Sequence, residues 1–343
     1  MFGLAAASCM VFPGAAFGQQ GGFGAGIGFG EALWTPENGA EGSEPERARR
    51  ADPLARSLDE ISEPSMGPPS LFYRVRAGTD YAMHAGFSDR GNNGSITFVR
   101  ARAGVDVIKP FEDRSSLTVG FNTEISFYDW TDNSAFFGTS SPAFDRVHIY
   151  NLSATYAKPL DADWTVFGGA RVRSAFQDGA RFGDTLAYGG LLGASYRVND
   201  DFRVGFGFAG TTRLENTGWI VPIVTVDWQI DDRWRLRNDT GFGFTLSYDV
   251  DAQLKLLGAI GFERREFRLD DNEALPRGVV RDTSIPAGLG VDWTSENRKF
   301  EVRALAGIMA YQEYRFFDRN GNFAEKSDTK ITPVFRLEVG YNF

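Results

Sequence analysis

The chain has 343 residues, a formal net charge of −9 and a pI near 5.0, a balance that argues against a nucleic-acid partner. Its one cysteine, Cys9, allows neither an intrachain disulfide nor a cysteine-based metal cluster. Mean hydropathy is −0.27, and no apolar run reaches the roughly 18 residues of a membrane-spanning helix.

Met1 to Gly18 is apolar and rich in small residues, and Ala16-Phe17-Gly18 before Gln19 fits the small-x-small pattern of a secretory cleavage site. A signal peptide over 1–18 is expected. The positive n-region is missing, which suggests a truncated start. Ala6-Ala7-Ser8-Cys9 offers a lipoprotein signal as a second reading, but Ala fits the aliphatic position of that motif poorly. Residues 19–70 have no usable period: a glycine run from Gly21 to Gly30 gives way to charge and to Pro64, Pro68 and Pro69. Such composition buries too little apolar surface to offset ordering entropy. The expectation is a flexible periplasmic segment, with a plug or tether as the sharper reading. The glycines do not form a phosphate loop, because no Gly-Lys-Ser/Thr follows them.

From Leu71 the pattern changes to period-2 segments joined by two kinds of connection. The short kind is rich in Asp and Asn: Asp161 to Trp164, Asn199 to Phe202 and Asp231 to Trp234, with Glu112 to Ser115, Asp249 to Ala252 and Ser295 to Arg298 alike. These side chains bond the local backbone and suit tight turns. The long kind is polar and irregular, at 86–94, 130–144, 177–183, 269–282 and 317–329. Segments at 71–85, 95–110, 116–129, 145–160, 164–176, 184–198, 202–213, 219–230, 234–239, 242–250, 253–268, 284–294, 299–316 and 331–343 make about fourteen strands. Merging the short pair around Asp239 to Phe242 makes twelve, but only fourteen keeps every Asp-rich turn on one side. The fold expected over 71–343 is all-β, a closed antiparallel up-and-down transmembrane barrel.

Strand faces agree along the chain. Tyr73, Val75, Ala77, Tyr81 and Met83 share one face; Arg74, Arg76, Asp80 and His84 share the other. Phe202, Val204, Phe206 and Phe208 oppose Arg203, Gly205, Gly207 and Thr211, and Phe300, Val302, Ala304 and Ile308 oppose Glu301, Arg303, Glu313 and Arg315. A barrel in lipid needs no second sheet as a core. Trp164, Trp228, Trp234 and Trp293 beside the short turns match an interfacial girdle.

The last segment, Ile331 to Phe343, alternates apolar and polar and closes on Tyr341 and Phe343. It resembles the C-terminal signal strand of bacterial outer-membrane β-barrels, and the whole pattern resembles a monomeric barrel of that class. The resemblance implies an outer-membrane location with the C-terminus on the periplasmic side. It also implies contact with lipid and lipopolysaccharide, and recognition of Tyr341 and Phe343 by the barrel-assembly machinery. Gly243 to Asp249 and Phe262 to Leu269 resemble a family of functionally uncharacterised barrels, which brings no activity with it.

If the polar parity is luminal, charge lines the interior: Arg74, Arg76, Arg100, Arg102, Arg171, Arg173, Arg203, Arg235, Arg237, Arg265, Arg303 and Arg336, with Asp80, Asp106, Glu124, Glu263, Glu301 and Glu338. Arg213, Arg315 and Glu313 join them. Such rings bias which ions pass. The expected function is a porin-like passive channel for small polar or anionic solutes. The alternative is a structural or adhesive barrel whose charges pair across a closed lumen. A hydrolase is disfavoured: His84 is luminal by parity, whereas His148 lies with Tyr150 and Leu152 on the lipid face. Two separated histidines support no metal site, no cofactor is expected, and Asn320-Gly321 reads as turn chemistry.

Overall fold

The computed structural model describes residues 71–88, 94–131, 142–214, 218–238, 243–271 and 274–343. The expected signal peptide and the 19–70 segment lie outside the described residues. The strands are β1 (Phe72–Gly86), β2 (Ser95–Pro110), β3 (Ser116–Thr131), β4 (Arg146–Pro159), β5 (Trp164–Gln177), β6 (Leu186–Asn199), β7 (Phe202–Thr211) and β8 (Trp219–Gln229). They continue as β9 (Trp234–Asn238), β10 (Phe244–Asp249), β11 (Leu254–Ile260), β12 (Glu263–Arg268), β13 (Val279–Thr294), β14 (Phe300–Phe317), β15 (Phe323–Asp328) and β16 (Thr332–Asn342).

Sixteen strands make fourteen wall positions. β11 and β12 pair with β13 in one unbroken register, Ile260 opposite Ala287 and Glu263 opposite Ser284. β15 and β16 likewise continue one another along β14. The ring closes where β1 pairs with β16, from Arg74 opposite Asn342 to Ala82 opposite Val334. β9 and β10 are separate strands, so fourteen holds and twelve does not. The Asp-rich turns form as expected. The Asp161 carboxylate accepts the Asp163 and Trp164 N–H groups at 2.8 and 2.7 Å, and Asp231 accepts those of Arg233 and Trp234 at 2.8 Å each. Asp251 does the same for Gln253 and Leu254.

Outside, the alternation leaves a continuous apolar surface: Leu192, Phe206, Phe208, Ile220, Leu289 and Leu337 are all exposed, Ile220 at 75%. Each such side chain forgoes about 1.5–3 kcal/mol if it faces water. Trp164, Trp228, Trp234 and Trp293 ring the turn end, with Trp164 against Tyr196 and Trp234 against Tyr248 at 4.9 Å. Close approach between strands fixes some small residues; a Cβ on Gly193 would stand 2.6 Å from the Phe206 carbonyl oxygen.

Toward the loop end the wall departs from a simple tube. β12 and the start of β13 lean inward, and β12 touches β5 through one parallel rung, Arg268 to Phe176. Side chains from this inner layer pack on β1 to β4. Phe144, Phe267, Tyr314 and Phe316 are fully buried, and Phe144 meets Tyr128, Trp130 and Phe267 at 4.8–5.0 Å.

Three expectations need correction here. A register shift between Ala82 and Ala85 turns His84 out of the lumen; it is exposed, with Nδ1 3.1 Å from the Ser95 hydroxyl. A second shift, where Ile285 faces Tyr311 but Pro286 faces Met309, reverses parity in β14. Gln312, Tyr314 and Phe316 therefore turn into the aromatic core, and Glu313 and Arg315 turn to the reverse face of the inner layer. The loops at 269–282 and 317–329 also hold strand: β13 begins at Val279, and β15 lies within the latter. Extra residues at bulges account for the parity changes. Asn320-Gly321 is a turn as expected, with the Asp318 carboxylate accepting the Asn320 and Asn322 N–H groups at 2.8 and 2.9 Å.

Candidate functional site

Charges inside the barrel fall into two unlike halves. On the side of β1 to β3 they form a paired lattice. Asp80 accepts from Arg102 and from Arg336, the latter at 2.8 Å; Glu124 accepts from Arg102 at 3.0 Å. Arg265, inserted by β12, reaches Glu263 at 2.7 Å and Glu124 at 3.3 Å, and Glu263 also takes Arg336 at 2.8 Å. Arg100 meets Asp282 at 2.8 Å with its guanidinium 3.7 Å from the Phe98 ring centre. Arg76 pairs with Asp106. Arg100, Arg265 and Asp282 are almost wholly buried. Opposite charges here pair with one another, and the aromatic core lies directly beyond them.

The other half is basic. Among the described residues, the inward parity of β4 to β9 carries Arg171, Arg173, Arg197, Arg203, Arg235 and Arg237 against one acid, Asp227. Arg235 donates to Asp227 at 2.7 and 2.6 Å. Arg197 and Arg203 face each other across β6 and β7. Between this wall and the reverse face of β12 lies a small open cavity. Arg171, Arg173, Thr185, Trp219, Arg264 and Glu266 are among its lining. Glu266 is its one carboxylate, held by Arg264 and Arg281 at 2.8 Å each and by Arg213 at 3.5 Å. The Nε and Nη2 atoms of Arg173 are buried without a hydrogen-bond partner. Gly189 gives Arg171 its place, since a Cβ there would stand 2.9 Å from the Arg171 Nε.

The expected lining residues thus divide. Asp80, Arg100, Arg102, Asp106, Glu124, Glu263, Arg265 and Arg336 meet in the lattice, while Arg171, Arg173, Arg203, Arg235 and Arg237 stand on the basic wall. Arg74 donates to Asn342 at 2.9 Å, Arg303 pairs with Asp292 at 2.7 Å, and Glu301 accepts from Asn342 at 3.1 Å, all toward the turn end with Glu338. Tyr341 and Phe343 stack edgewise at 4.7 Å on the outer face. His84 and His148 lie on different strands, and His148 stacks on Phe176 at 5.6 Å with Nε2 2.6 Å from Asp178.

Arg264, Glu266, Arg268 and Arg281 were not anticipated. The signal was present: Glu263-Arg264-Arg265-Glu266-Phe267-Arg268 puts charge on both parities, which a lipid-facing wall strand cannot carry. Both of its faces are covered by protein.

Among curated proteins no sequence match is found. Solved structures similar to this chain include the deltaS2 mutant of the TodX monoaromatic hydrocarbon channel, at 8% identity and a TM-score of 0.46 over 82% of this chain and 93% of that one. A FadL homologue from Pseudomonas aeruginosa is similar at 12% identity and a TM-score of 0.45, covering 79% and 90%. The translocator domain of the autotransporter NalP from Neisseria meningitidis is similar at 15% identity and a TM-score of 0.35, covering 87% and 99%. Residues 89–343 match the family model described as Domain of unknown function (DUF6268), and the chain belongs to that family.

Proposed function

We propose that the protein is a passive outer-membrane channel for small anionic solutes, with the Asp-rich turns on the periplasmic side. The membrane setting is supported by the apolar exterior and the aromatic ring at the turn end. One observation carries the selectivity: among the described residues, six inward arginines stand against one aspartate on β4 to β9. Arginine guanidinium groups along a narrow path favour anions and repel cations. The route follows this basic wall, because the lattice and the aromatic core occupy the opposite side. Small solutes, lipid and lipopolysaccharide are the partners of this reading, and the assembly machinery acts through Tyr341 and Phe343.

Planar-bilayer recording of the full chain tests it. The expected reversal potential in a salt gradient has the anion-selective sign, and replacing Arg171 and Arg203 by Gln moves it toward zero. Absence of conductance in either salt direction, with folding verified, overturns the channel. A closed structural or adhesive barrel is the second reading, supported by the paired lattice and by the Phe144 core. Deleting the loop-end connections while following solute flux and cell binding separately tells the two apart.

A further inference from the structure

We infer that the lumen holds a binding step for a tetrahedral dianion of the phosphate class, clamped between Arg197 on β6 and Arg203 on β7 near the turn end. The inference rests on the anion channel proposed above. It adds the ligand class and the place on the basic wall where the solute is held.

Strand register singles out this pair. Asp249, Lys255, Asp292, Arg303 and Glu338 alternate in sign along one row across β10, β11, β13, β14 and β16. Asp80 lies opposite Arg100 and Arg336, Arg74 opposite Asp106, and Arg102 opposite Glu124. Among the described inward positions, Arg197 and Arg203 alone face each other with the same sign. Like charges placed directly opposite, with Cα atoms about 4.5–5.5 Å apart, repel. Like-signed rows also occur on the reverse face of the inner layer, but there they neutralise each other. Arg281, Arg315 and Lys326 run beside Glu313 and Asp328, and Glu313 pairs with Arg315 and, at 3.8 Å, with Lys326.

A bulge creates the like-charged pair. Asn199 faces Phe202 and Arg197 faces Arg203, so Val198 is an extra residue, and it turns outward at 49% exposure. Without it Arg203 would face Val198. Both arginines are half-buried and stand beside the Asp200-Asp201 turn. Their row continues through Asp227 on β8 to Arg237 on β9. Asp227 is already engaged, because Arg235 donates to both of its oxygens at 2.7 and 2.6 Å. Asp200 is 4.0 Å from Arg197 with its side chain 99% exposed, a loose counterion that a better ligand displaces. Two guanidinium forks on neighbouring strands present donors to two sides of one anion. A planar carboxylate offers one edge, which serves one fork, as Asp227 serves Arg235. A tetrahedral dianion offers oxygens to both forks and cancels both charges.

The test is titration calorimetry of the full chain in detergent micelles, with inorganic phosphate at a mildly alkaline pH where it is a dianion. Saturable binding at one site per chain is expected. It weakens about tenfold in Arg203→Gln and in Arg197→Gln. Arg303→Gln removes the same charge from the alternating half and should bind phosphate as the unaltered protein does. Acetate at equal concentration should not displace phosphate. Absence of saturable binding would overturn the clamp, as would unchanged affinity in a folded Arg203→Gln. Equal weakening in Arg303→Gln, or displacement by acetate, would mean diffuse attraction to a cationic lumen and overturn it too. Comparing phosphate with acetate in the unaltered protein needs no variant to fold. Binding is read without flux, so failure here with anion-selective conductance intact leaves the channel standing.

Discussion

Arg100 illustrates what the interior asks of single residues. It bonds Asp282, lies over Phe98 and is about 1% exposed. Cutting it back to Ala strands a buried carboxylate, so Arg100→Ala is expected to lower unfolding stability by about 3 kcal/mol. Arg100→Met with Asp282→Asn should cost clearly less; chemical denaturation of the reconstituted protein checks both. At the opposite end of the scale stands Asp231, fully exposed in a turn. Backbone N–H groups of Arg233 and Trp234 hold its carboxyl below the ordinary aspartate range. A group depressed in the folded state contributes stability above its unfolded value, and that contribution is lost as pH falls through the folded value. Asp231→Ala should therefore lower the urea midpoint at neutral pH. The difference from wild type should fade below about pH 4, and Asp231→Asn, which keeps the acceptor, should restore most of it at neutral pH.

At the scale of elements, β12 separates what could be read from what could not. The wall strands were legible because one face meets hydrocarbon and the other meets charge, a contrast that period-2 alternation records directly. β12 lost that contrast, since both its faces touch protein, and only its doubled charge marked it. Bulges were illegible for another reason. An extra residue such as the one near Tyr311 leaves composition unchanged while reversing every side chain beyond it, which is why Glu313 and Arg315 sat on the wrong face. The basic wall was visible residue by residue, but its contrast with the paired lattice needed partners far apart in sequence, such as Arg336 with Glu263. Two measurements probe this level. Phe144→Ala empties the centre of the aromatic core and should cost about 3–5 kcal/mol, with a rise in conductance if the core blocks flow. Arg268→Ala frees three loop carbonyls, those of Asp184, Arg277 and Leu214, and should raise proteolysis beside Leu214, leaving the strand content seen by circular dichroism unchanged.

For the whole molecule, the fourteen-strand count and the sidedness of the turns followed from Asp-rich punctuation alone, even though β9 and β10 are short. The last strand was read correctly as an outward apolar stripe: Phe335, Leu337, Tyr341 and Phe343 are all exposed on the barrel surface. Removing Phe343 also removes its N–H bond to the Tyr73 carbonyl at 2.9 Å; lower levels of barrel in the outer-membrane fraction are expected, with synthesis unchanged. The seam at β1 and β16 has one more effect. Arg336 crosses it to clasp Asp80 and, from the same guanidinium, Glu263 on the inner layer. Until the first and last strands zip together, Arg336 lacks Asp80, although Arg102 still serves that acid and Glu263 keeps Arg265. Closure therefore adds a buried ion pair to the row of backbone bonds it completes, and a ring left open at this seam forgoes both.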